Sequence, residues 1–432
     1  MTTTLDLQTD PLDAAATVAN RPGTVLLHSG HRRGRSVLLF GPRWTLTCGP
    51  DGRPRWSGDA PDVGPLDPDP LRWPSALNEH LAPAAPEPDV PWMAGALSFE
   101  AGTARFGARS PVAAPFSVPE VWLAAYDHAL VFDPGRPARL VVHRDRDARA
   151  TVLDALRTPA ARRLGGGTGA VRFFDRDWHR DAVGVVREHL LRGDVYQINL
   201  TGFARAESSV DPFEGFRREA RGNPTPLAAY LRLEGATITS HSPERLLRRR
   251  GDRVSTGPIK GTAPAGSVDA LRASEKDRAE HVMIVDLCRN DLGRIARPGT
   301  VRVDPLMATL RARGLIHLVS DVHARLVPSR GHELLGALFP GGSITGAPKR
   351  RACEIIAAVE TAARGPYTGA IGAVAPNGDM DWSIAIRTAV WQDGAVHFGT
   401  GGGIVLDSDP DREYEEARLK ARSFFASLGA AV

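Results

Sequence analysis

The sequence predicts an α+β fold, in which strands and helices are mixed without the regular βαβ alternation of a parallel sheet. Two observations support this class. Strand-like apolar runs near both ends of the chain are joined by turn signals typical of antiparallel hairpins, and helical patterns stand between these runs rather than after each one. The 432 residues, 42% hydrophobic and 24% charged, have the composition of a soluble globular protein, and the length allows two or three domains.

The first 163 residues are mainly strand-like. Residues 1–60 alternate short apolar runs such as "TVLLHS" and "WTLTCG" with turn signals, which predicts β-hairpins. Residues 58–91 are rich in Pro and Asp and predict a loop with one short helix. Strand-like runs return at "MAGALSFE" and "LVFDPGRPARLVVHR". The "LGGGTG" stretch at 164–169 is the best linker candidate, and it divides residues 1–163 from residues 170–432.

The remaining chain predicts three long helices and a set of strands. The helices are expected near 178–192, at 274–296 and over "REYEEARLKARSFFASL", and the second has a charged first turn and an apolar stripe. Asn377-Gly378 separates the strand run "TGAIGAVA" from "SIAIRTAVW". Asp393-Gly394 then joins "SIAIRTAVW" to "AVHFGTGGGIV".

Several classes of protein are not indicated. The net charge is only +4 and the arginines are scattered, so we expect no nucleic-acid binding. Cys48, Cys288 and Cys353 are too few and too far apart for a disulfide framework or a zinc site, and we expect them to be reduced core residues. No export signal and no run of about 18 apolar residues is present, so we expect a cytoplasmic protein that does not contact the membrane.

Lys260, in "STGPIKGTAP", is unusual because the chain almost never uses lysine. Of 54 Lys and Arg residues, four are lysines and 50 are arginines. A lysine amine can lose its proton and act as a nucleophile, whereas an arginine cannot. Glu244 lies 16 residues earlier, a spacing that can bring two adjacent antiparallel strands to one pocket. An acid beside an amine suggests a general acid and a nucleophile, and a surface salt bridge remains the alternative.

Two acidic helix faces are a second candidate site. The last helix places Glu413, Glu416 and Lys420 on one face, and the 274–296 helix does the same for Asp277 and Glu280. These are either solvated helix ends or, if the helices meet, ligands of a hard cation such as Mg²⁺. Similarly, "TGGGI" at 400–404 is either a backbone surface that offers N–H groups to an anion or a bulged strand.

Taken together, the motifs resemble the chorismate-utilising enzyme family, the catalytic components of aminodeoxychorismate, anthranilate, isochorismate and salicylate synthases. The matching stretches follow the family's order over about 190–425: "GDVYQINL", "SPERLL", "PIKGT", "KDRAEHVMIVDLCRNDLGRI", "HLVSDV", "FPGGSITGAPK", "MDWSIAIRTA", "GGGIVLDSDPDREYEE" and Lys420. The resemblance implies a single α/β sandwich of two large, mainly antiparallel sheets with outer helices. Residues 1–163 and 170–432 would then form one intertwined domain.

The resemblance also implies a site that binds chorismate and Mg²⁺. Glu280 and Glu416 would hold the metal, and Asp277 and Glu413 would act through waters. Arg387, Tyr367 and the backbone near the glycines would take the carboxylate that the metal does not bind. The full implied set of substrate-binding residues is Gln197, Gly261, Thr262, His317, Tyr367, Arg387, Gly401, Gly403 and Lys420.

Two positions select a branch of the family. Gln197 stands where isochorismate and salicylate synthases carry a lysine that activates water, and glutamine cannot act as that base. Lys260 stands where anthranilate synthases typically have alanine and aminodeoxychorismate synthases have lysine. The resemblance therefore implies amination of chorismate at C4 through a covalent Lys260 adduct, with Glu244 as acid. The amine must be neutral, so its pKa has to fall from about 10.4.

Partners follow from the same resemblance. No glutaminase is visible in the sequence, so a separate glutamine amidotransferase subunit is expected to supply ammonia. The "LLHSG" stretch resembles one that binds tryptophan in relatives, which implies a tryptophan contact for Ser29. Ala265 replaces the arginine that most relatives carry. Two alternatives stay open: an anthranilate synthase component, and a non-catalytic subunit that binds chorismate or tryptophan.

Overall fold

A computed structural model describes residues 2–4, 9–30, 34–144, 148–157, 166–264, 266–312 and 315–430. Two large sheets of antiparallel strands face each other, and a smaller sheet of three strands lies apart from them. Apolar side chains from both large sheets, such as Leu39, Trp122, Leu231 and Ile371, share one buried cluster between them. The predicted α+β sandwich is confirmed, whereas the third sheet was not predicted.

The first large sheet has eleven strands. In sheet order they are β1 (Thr2–Thr4), β9 (Arg139–Val142), β8 (His128–Phe132), β3 (Ser36–Leu39), β2 (Val25–His28), β11 (Leu227–Arg232), β12 (Thr237–Ser242), β23 (Thr388–Gln392), β24 (Ala395–Ile404), β10 (Gln197–Glu207) and β20 (Gly346–Ala347).

The second large sheet has ten strands, and the third sheet has three. In sheet order the second contains β16 (Arg302–Val303), β19 (Val322–Arg325), β14 (Arg253–Gly257), β13 (Arg245–Arg250), β22 (Met380–Ile384), β21 (Ala370–Val374), β6 (Met93–Leu97), β7 (Val121–Ala125), β4 (Trp44–Cys48) and β5 (Pro54–Gly58). The third contains β15 (Ile259–Pro264), β18 (Leu315–Val319) and β17 (Ala308–Ala312).

Helices cover the outer faces of the sheets. They are α1 (Pro11–Val18), α2 (Trp73–Leu81), α3 (Phe99–Thr103), α4 (Ala148–Arg157), α5 (Arg176–Leu191), α6 (Pro212–Gly222), α7 (Val268–Ala273), α8 (Glu275–Gly293), α9 (Leu334–Leu338), α10 (Lys349–Val359) and α11 (Pro410–Ser427). Four short 3₁₀ turns complete the described elements: Pro70–Arg72, Ala104–Phe106, Pro328–Glu333 and Gly342–Ile344. Within the described ranges, no helix is both long and apolar enough to cross a membrane.

The three long helices predicted from the sequence are α5, α8 and α11. Each begins at a side chain that caps it, because Asp175, Ser274 and Asp409 accept a hydrogen bond from a backbone N–H of the first turn. Such caps satisfy donors that have no partner within the helix. Helix α1, capped in the same way by Asp10, was not predicted, and the predicted loop at 58–91 contains α2.

The C-terminal hairpin signals are confirmed, with one correction. Gly378 turns between β21 and β22, and Asp393-Gly394 turns between β23 and β24, all at positive φ. However, "SIAIRTAVW" is not one strand. It divides into β22 of the second sheet and β23 of the first. Between these two strands the chain crosses from one sheet to the other at residues 385–387. This crossing includes Arg387, a non-glycine residue with φ of 51°. The apolar, strand-like residues around Arg387 in the sequence do not indicate that conformation.

Strands from the two halves of the chain pair directly in both large sheets. In the first sheet β2 pairs with β11, and in the second β6 pairs with β21. The stretch predicted as a linker is described from Gly166 onward and packs along the end of β10. Thr168 forms a bridge with Ser208, and the Gly169 N–H donates to the Glu207 carbonyl at 2.9 Å.

Candidate active site

Lys260 lies on β15 at a bulge in its pairing with β18. The register shifts between Lys260 and Thr262, and the intervening Gly261 has φ of 72°. Glycine adopts this conformation without strain, and a bulge of this kind changes the direction in which a neighbouring side chain points. A side chain at Gly261 would also meet Asp277, whose Oδ1 is 3.4 Å from a Cβ built there. The sequence prediction of adjacent Glu244 and Lys260 strands is wrong, since β15 leaves the second sheet.

The two residues nevertheless lie in one neighbourhood. Burial lowers the pKa of the Lys260 amine. The nearby carboxylates of Glu280, Glu244 and Glu416 raise that pKa, and the Lys420 ammonium lowers it. Helices α8 and α11 therefore both bring carboxylates to Lys260, although they are separated by more than one hundred residues of sequence. The net effect is a lowered pKa, so the Lys260 amine loses its proton more readily here than it would in water.

Glu244 is buried immediately before β13, with 4% of its surface exposed. Burial raises the pKa of its carboxyl to about 7, and the Ser343 hydroxyl, the Lys260 charge and the Ile259 N–H offset part of that rise. Its backbone is fixed on both sides: the N–H donates to the Ser242 hydroxyl at 3.1 Å, and the carbonyl accepts from Ile384 at 3.1 Å. A carboxyl with a pKa of about 7 is partly protonated at neutral pH, as a general acid must be.

Helix α11 places charged groups along the glycines of β24. Lys420 Nζ pairs with Glu416 Oε1 at 2.8 Å and donates to the Gly401 carbonyl at 2.8 Å. Glu413 Oε1 accepts from the Ser408 hydroxyl at 2.7 Å, and its other carboxylate oxygen would lie 3.3 Å from a Cβ built on Gly402. The face predicted for Glu413, Glu416 and Lys420 therefore lies against the glycine stretch.

The "TGGGI" stretch is a regular part of β24, so the bulged-strand alternative is excluded. Gly401 pairs with Thr201 and Gly403 with Asn199 in an unbroken register. A Cβ on Gly401 would lie 2.2 Å from the Leu200 carbonyl oxygen, and one on Gly403 would lie 2.2 Å from Nε2 of Gln197. Gly401 thus leaves no room for a side chain, because the neighbouring strand β10 approaches its backbone closely.

Gln197 lies against this glycine stretch from the neighbouring strand β10. It is 1% exposed, and its Oε1 has no hydrogen-bond partner within the described part of the chain. A buried amide oxygen without a donor is costly. The amide Nε2 is the Gln197 atom that lies against Gly403, so the side chain places a neutral amide and no base beside the glycine stretch.

His317 connects the bulge to Arg387. Burial and the Arg387 charge lower the pKa of His317, and a hydrogen bond between its ring and the Gly261 backbone offsets part of that shift. The Arg387 carbonyl accepts the His241 N–H at 3.0 Å, which holds the strained crossing. Arg387 as a whole residue is exposed, but burial lowers the pKa of its guanidinium, which forms no hydrogen bond or ion pair within the described ranges.

Tyr367 is buried with its ring packed on Gly399, where a built Cβ would lie 2.0 Å from the ring. Burial raises its pKa well above the ordinary value. The charges nearest Tyr367 are Arg364 and Glu360, whereas those nearest Arg387 include Glu219. Neither a hydrogen bond nor a ring contact joins Tyr367 to Arg387 in the described residues.

Three predicted positions give less information. Ser29 follows β2, and its N–H donates to the Ser36 hydroxyl at 3.1 Å, which also lies 3.1 Å from Nδ1 of His28. The backbone of Thr262 pairs with His317, but its side chain lies outside the described part of the chain. Ala265 also lies outside the described residues.

The carboxylates predicted to hold a metal do not form a closed cluster. No group of three or more His, Cys, Asp or Glu side chains positioned to hold a metal ion occurs in the described ranges. Glu280 and Glu416 both lie near Lys260, and Glu416 is paired with Lys420. The donors are all carboxylate oxygens, which is the ligand chemistry that Mg²⁺ prefers.

Sequence reasoning missed Ser343 and the Arg364–Glu360 pair. Ser343 was visible within "FPGGSITGAPK", but nothing in that stretch indicates that its hydroxyl lies beside Glu244. Arg364 and Glu360 are separated by three residues after α10, and their contacts reach residues 20 to 165 positions away. Such long-range packing leaves no local signal.

Comparison with known proteins shows the family to which the chain belongs. Residues 24–426 match the family described as chorismate binding enzyme. The chain is 36% identical over 429 residues to aminodeoxychorismate synthase component 1 of Klebsiella aerogenes, covering 95% of both chains. It is 38% identical over 409 residues to anthranilate synthase component 1 of Streptomyces coelicolor, covering 84% of this chain and 79% of that one.

A solved structure shows the same fold. Anthranilate synthase component I from Streptococcus pneumoniae superposes with a TM-score of 0.80 and 29% sequence identity, covering 91% of this chain and 92% of that one. The resemblance noted in the sequence is thereby confirmed at the level of the family. This chain belongs to the chorismate binding enzyme family and is a chorismate-utilising enzyme.

Proposed function

We propose that this protein aminates chorismate at C4 with ammonia, giving 4-amino-4-deoxychorismate, with Lys260 as nucleophile and Glu244 as general acid. One observation carries the proposal: a partly buried amine whose pKa is lowered lies beside a buried carboxyl whose pKa is raised to about 7. Two titratable groups whose pKa values are moved toward neutrality by their surroundings are typical of acid and nucleophile roles.

The first step joins Lys260 to the ring. The neutral amine forms a bond to C2 while the ring double bonds shift and the C4–O bond breaks. Glu244 donates its proton to the departing hydroxyl, which leaves as water, and the new ammonium on Lys260 loses a proton. Because Glu244 is also hydrogen-bonded to the N–H of Ile259, the acid and the nucleophile are held through adjacent residues.

The second step reverses the shift. Ammonia forms a bond to C4, the double bonds move back, and the C2–N bond to Lys260 breaks with the return of a proton to its amine. Two displacements through a covalent intermediate replace one difficult direct displacement. Gln197, which supplies an amide oxygen and no base, is suited to ammonia rather than to the activation of water.

Mg²⁺ is part of the proposal. Glu280 and Glu416 would hold it, with Asp277 and Glu413 acting through waters, and it would polarise the ring carboxylate of chorismate. The carboxylate that the metal does not bind would be bound by Arg387, Tyr367 and the backbone near Gly401 and Gly403. Lys420, Thr262, Gly261 and His317 would line the same pocket.

A partner subunit follows from the reaction. Relatives carry the name component 1, which supports a second component, and we propose that a glutamine amidotransferase delivers the ammonia. The anthranilate synthase relatives favour a second candidate, a component that releases pyruvate and forms anthranilate. The presence of Lys260 argues for the first candidate, since anthranilate synthases typically have alanine there.

The test is to incubate the purified protein with chorismate, Mg²⁺ and ammonium, and to identify the product. We expect no anthranilate fluorescence, and a product that becomes 4-aminobenzoate only after a lyase is added. Mass spectrometry of the digested protein should show a chorismate-derived adduct on the peptide that contains Lys260. Immediate fluorescence of anthranilate would refute the proposal and support the second candidate.

A further inference from the structure

Arg364 and Glu360 form an ion pair that is almost completely buried. Their side chains are 1% and 3% exposed, and two parallel hydrogen bonds join them: Nη2 to Oε1 at 2.7 Å and Nε to Oε2 at 2.9 Å. A buried ion pair is often no more stabilising than a well-packed apolar pair of the same size. Its contacts to the rest of the molecule therefore indicate what this pair does.

The pair completes an edge of the first sheet. The edge strand β20 is only two residues long and pairs with Gln197 and Ile198. Beyond it, the Asn199 carbonyl accepts from Arg364 Nη2 at 2.6 Å, and the Thr201 N–H donates to Glu360 Oε1 at 2.8 Å. The two charged side chains thus occupy the hydrogen-bonding positions of a missing strand.

Asn199 and Thr201 face the glycine stretch on the other side of β10. Asn199 pairs with Gly403, and Thr201 pairs with Gly401. The ion pair is therefore one strand away from the backbone groups that, under the proposed function, bind a carboxylate of chorismate. A shift of β10 would move that backbone with it, because the two strands are joined by an unbroken ladder.

The guanidinium also fixes two other segments. Its Nη1 donates to the Ile344 carbonyl at 2.8 Å and lies 3.3 Å from the Thr368 hydroxyl. Ile344 follows Ser343, whose hydroxyl lies beside Glu244, and Thr368 follows Tyr367. One side chain thus joins three segments, each of which carries or adjoins a residue of the pocket.

We propose that Arg364 and Glu360 are positioning residues that hold the glycine stretch, the Ser343 segment beside Glu244, and Tyr367 in the arrangement that binds chorismate. The roles of those pocket residues rest on the proposed function. The planar guanidinium is needed because it reaches several acceptors in fixed directions at once, which a lysine amine cannot do.

The experiment compares Arg364→Lys and Glu360→Gln with the wild-type protein in steady-state kinetics with chorismate. Arg364→Lys keeps the charge but cannot reach the Asn199, Ile344 and Thr368 oxygens together. We expect its KM for chorismate to rise roughly tenfold, with kcat per folded molecule within about threefold of wild type. The reason is that the substitution disturbs the groups that bind chorismate more than the groups that react with it. Glu360→Gln keeps an acceptor for Thr201, and we expect a rise of about threefold in KM.

The control is a second buried ion pair, Lys349 with Asp291, whose side chains are 11% and 7% exposed and 2.6 Å apart. It joins α10 to α8 and has no hydrogen bond to β10 among the described contacts. The double variant Lys349→Met, Asp291→Asn should unfold at a lower temperature yet keep KM within about twofold. A merely structural role would lower the folded fraction, and hence kcat per total protein, in all variants while leaving KM unchanged.

Two outcomes overturn the inference: a wild-type KM in folded Arg364→Lys, or an equal rise of KM in the control. If Arg364→Lys yields no folded protein, Glu360→Gln decides by the same criterion. Failure of the proposed function is distinguishable, because it would be seen in the identity of the wild-type product. Chorismate consumption still reports KM whatever the product is.

Discussion

Gly261 adjoins Lys260 and the Gly401–Gly403 stretch adjoins Lys420, and the two regions differ in what the missing side chain does. Gly261 has φ of 72° and interrupts the pairing of β15 with β18. Gly401 and Gly403 keep a regular ladder and instead leave no space for a side chain beside β10. The first case redirects a neighbouring functional side chain, and the second exposes backbone. Glycine therefore contributes to the pocket in two ways: on β15 it adopts a backbone conformation at positive φ, and on β24 it allows a neighbouring strand to approach closely.

The largest expected effect comes from the side chain that the bulge redirects. Lys260→Ala should lower the rate of C4 amination by at least about 10³-fold, because the covalent route is lost. Lys260→Arg is the matched control for charge, and it should be equally inactive because arginine stays protonated. The measurement is the amination rate, with the unfolding temperature of both variants alongside. An active Lys260→Arg protein would show that the charge alone is needed.

Gly401→Ala tests the close-approach side of the comparison. The added Cβ would lie 2.2 Å from the Leu200 carbonyl oxygen and 2.8 Å from Thr201 Cα, so backbone must move. We expect a loss of roughly 100-fold in kcat/KM and a lower unfolding temperature, as strain in a packed strand pair costs about 1–3 kcal/mol.

Gly402→Ala is the matched control for that variant. Its Cβ would meet only the ends of flexible side chains, with Glu413 Oε2 the nearest at 3.3 Å. It should unfold within about 2 °C of wild type, since no backbone clash arises. Equal destabilisation by the two substitutions would remove the distinction drawn between neighbouring glycines.

Gly261→Ala tests the conformational side. A non-glycine residue at φ of 72° should lower the free energy of unfolding by roughly 1–2 kcal/mol, measured by urea denaturation. We also expect roughly a tenfold loss of kcat/KM as the Lys260 amine moves relative to Glu244. Gly266→Ala, where nothing lies within 4 Å of a built Cβ, is a control just beyond the end of β15. Unchanged kinetics in Gly261→Ala would mean that the bulge does not position Lys260.

The smallest effect should be a shift in pH dependence. Glu244 must be protonated to act as an acid, so activity should fall as the pH rises through its pKa of about 7. The Lys260 charge lowers that pKa, and moving this charge away in Gly261→Ala should shift the falling limb of kcat upward by about half a pH unit. In Gly401→Ala the limb should stay in place while the rate falls. A shift in both variants would contradict the assignment.

The sequence was sufficient to predict the class of the fold and the helices that carry the acidic groups. Helices α8 and α11 are recognisable because a capping residue precedes each and a stripe of apolar residues runs along it. The sequence also predicted that Glu244 and Lys260 share one pocket, but for the wrong reason, since two adjacent strands were expected. In the structure β15 joins a different sheet, and the two side chains meet across that boundary.

Other features of the site depend on long-range packing. The Arg364–Glu360 pair is four residues apart in sequence, yet it acts on Asn199, Thr201 and Ile344. Arg387 reaches its place because one apolar run divides between two sheets, and an arginine at positive φ is not signalled by the residues around it. Pattern and propensity describe neighbours along the chain, whereas these contacts are set by how the sheets assemble.

The crossing at residues 385–387 is a covalent link between the two large sheets, since β22 and β23 are consecutive strands on opposite sides of it. Side chains alternate between faces along a strand, so one inserted or deleted residue here would turn the buried face of one strand outward. The hairpin loop at Asn377-Gly378 joins two strands of one sheet, and its length sets the register within that sheet only. The length of this short crossing, more than the identity of its residues, therefore determines whether the two layers can assemble in register.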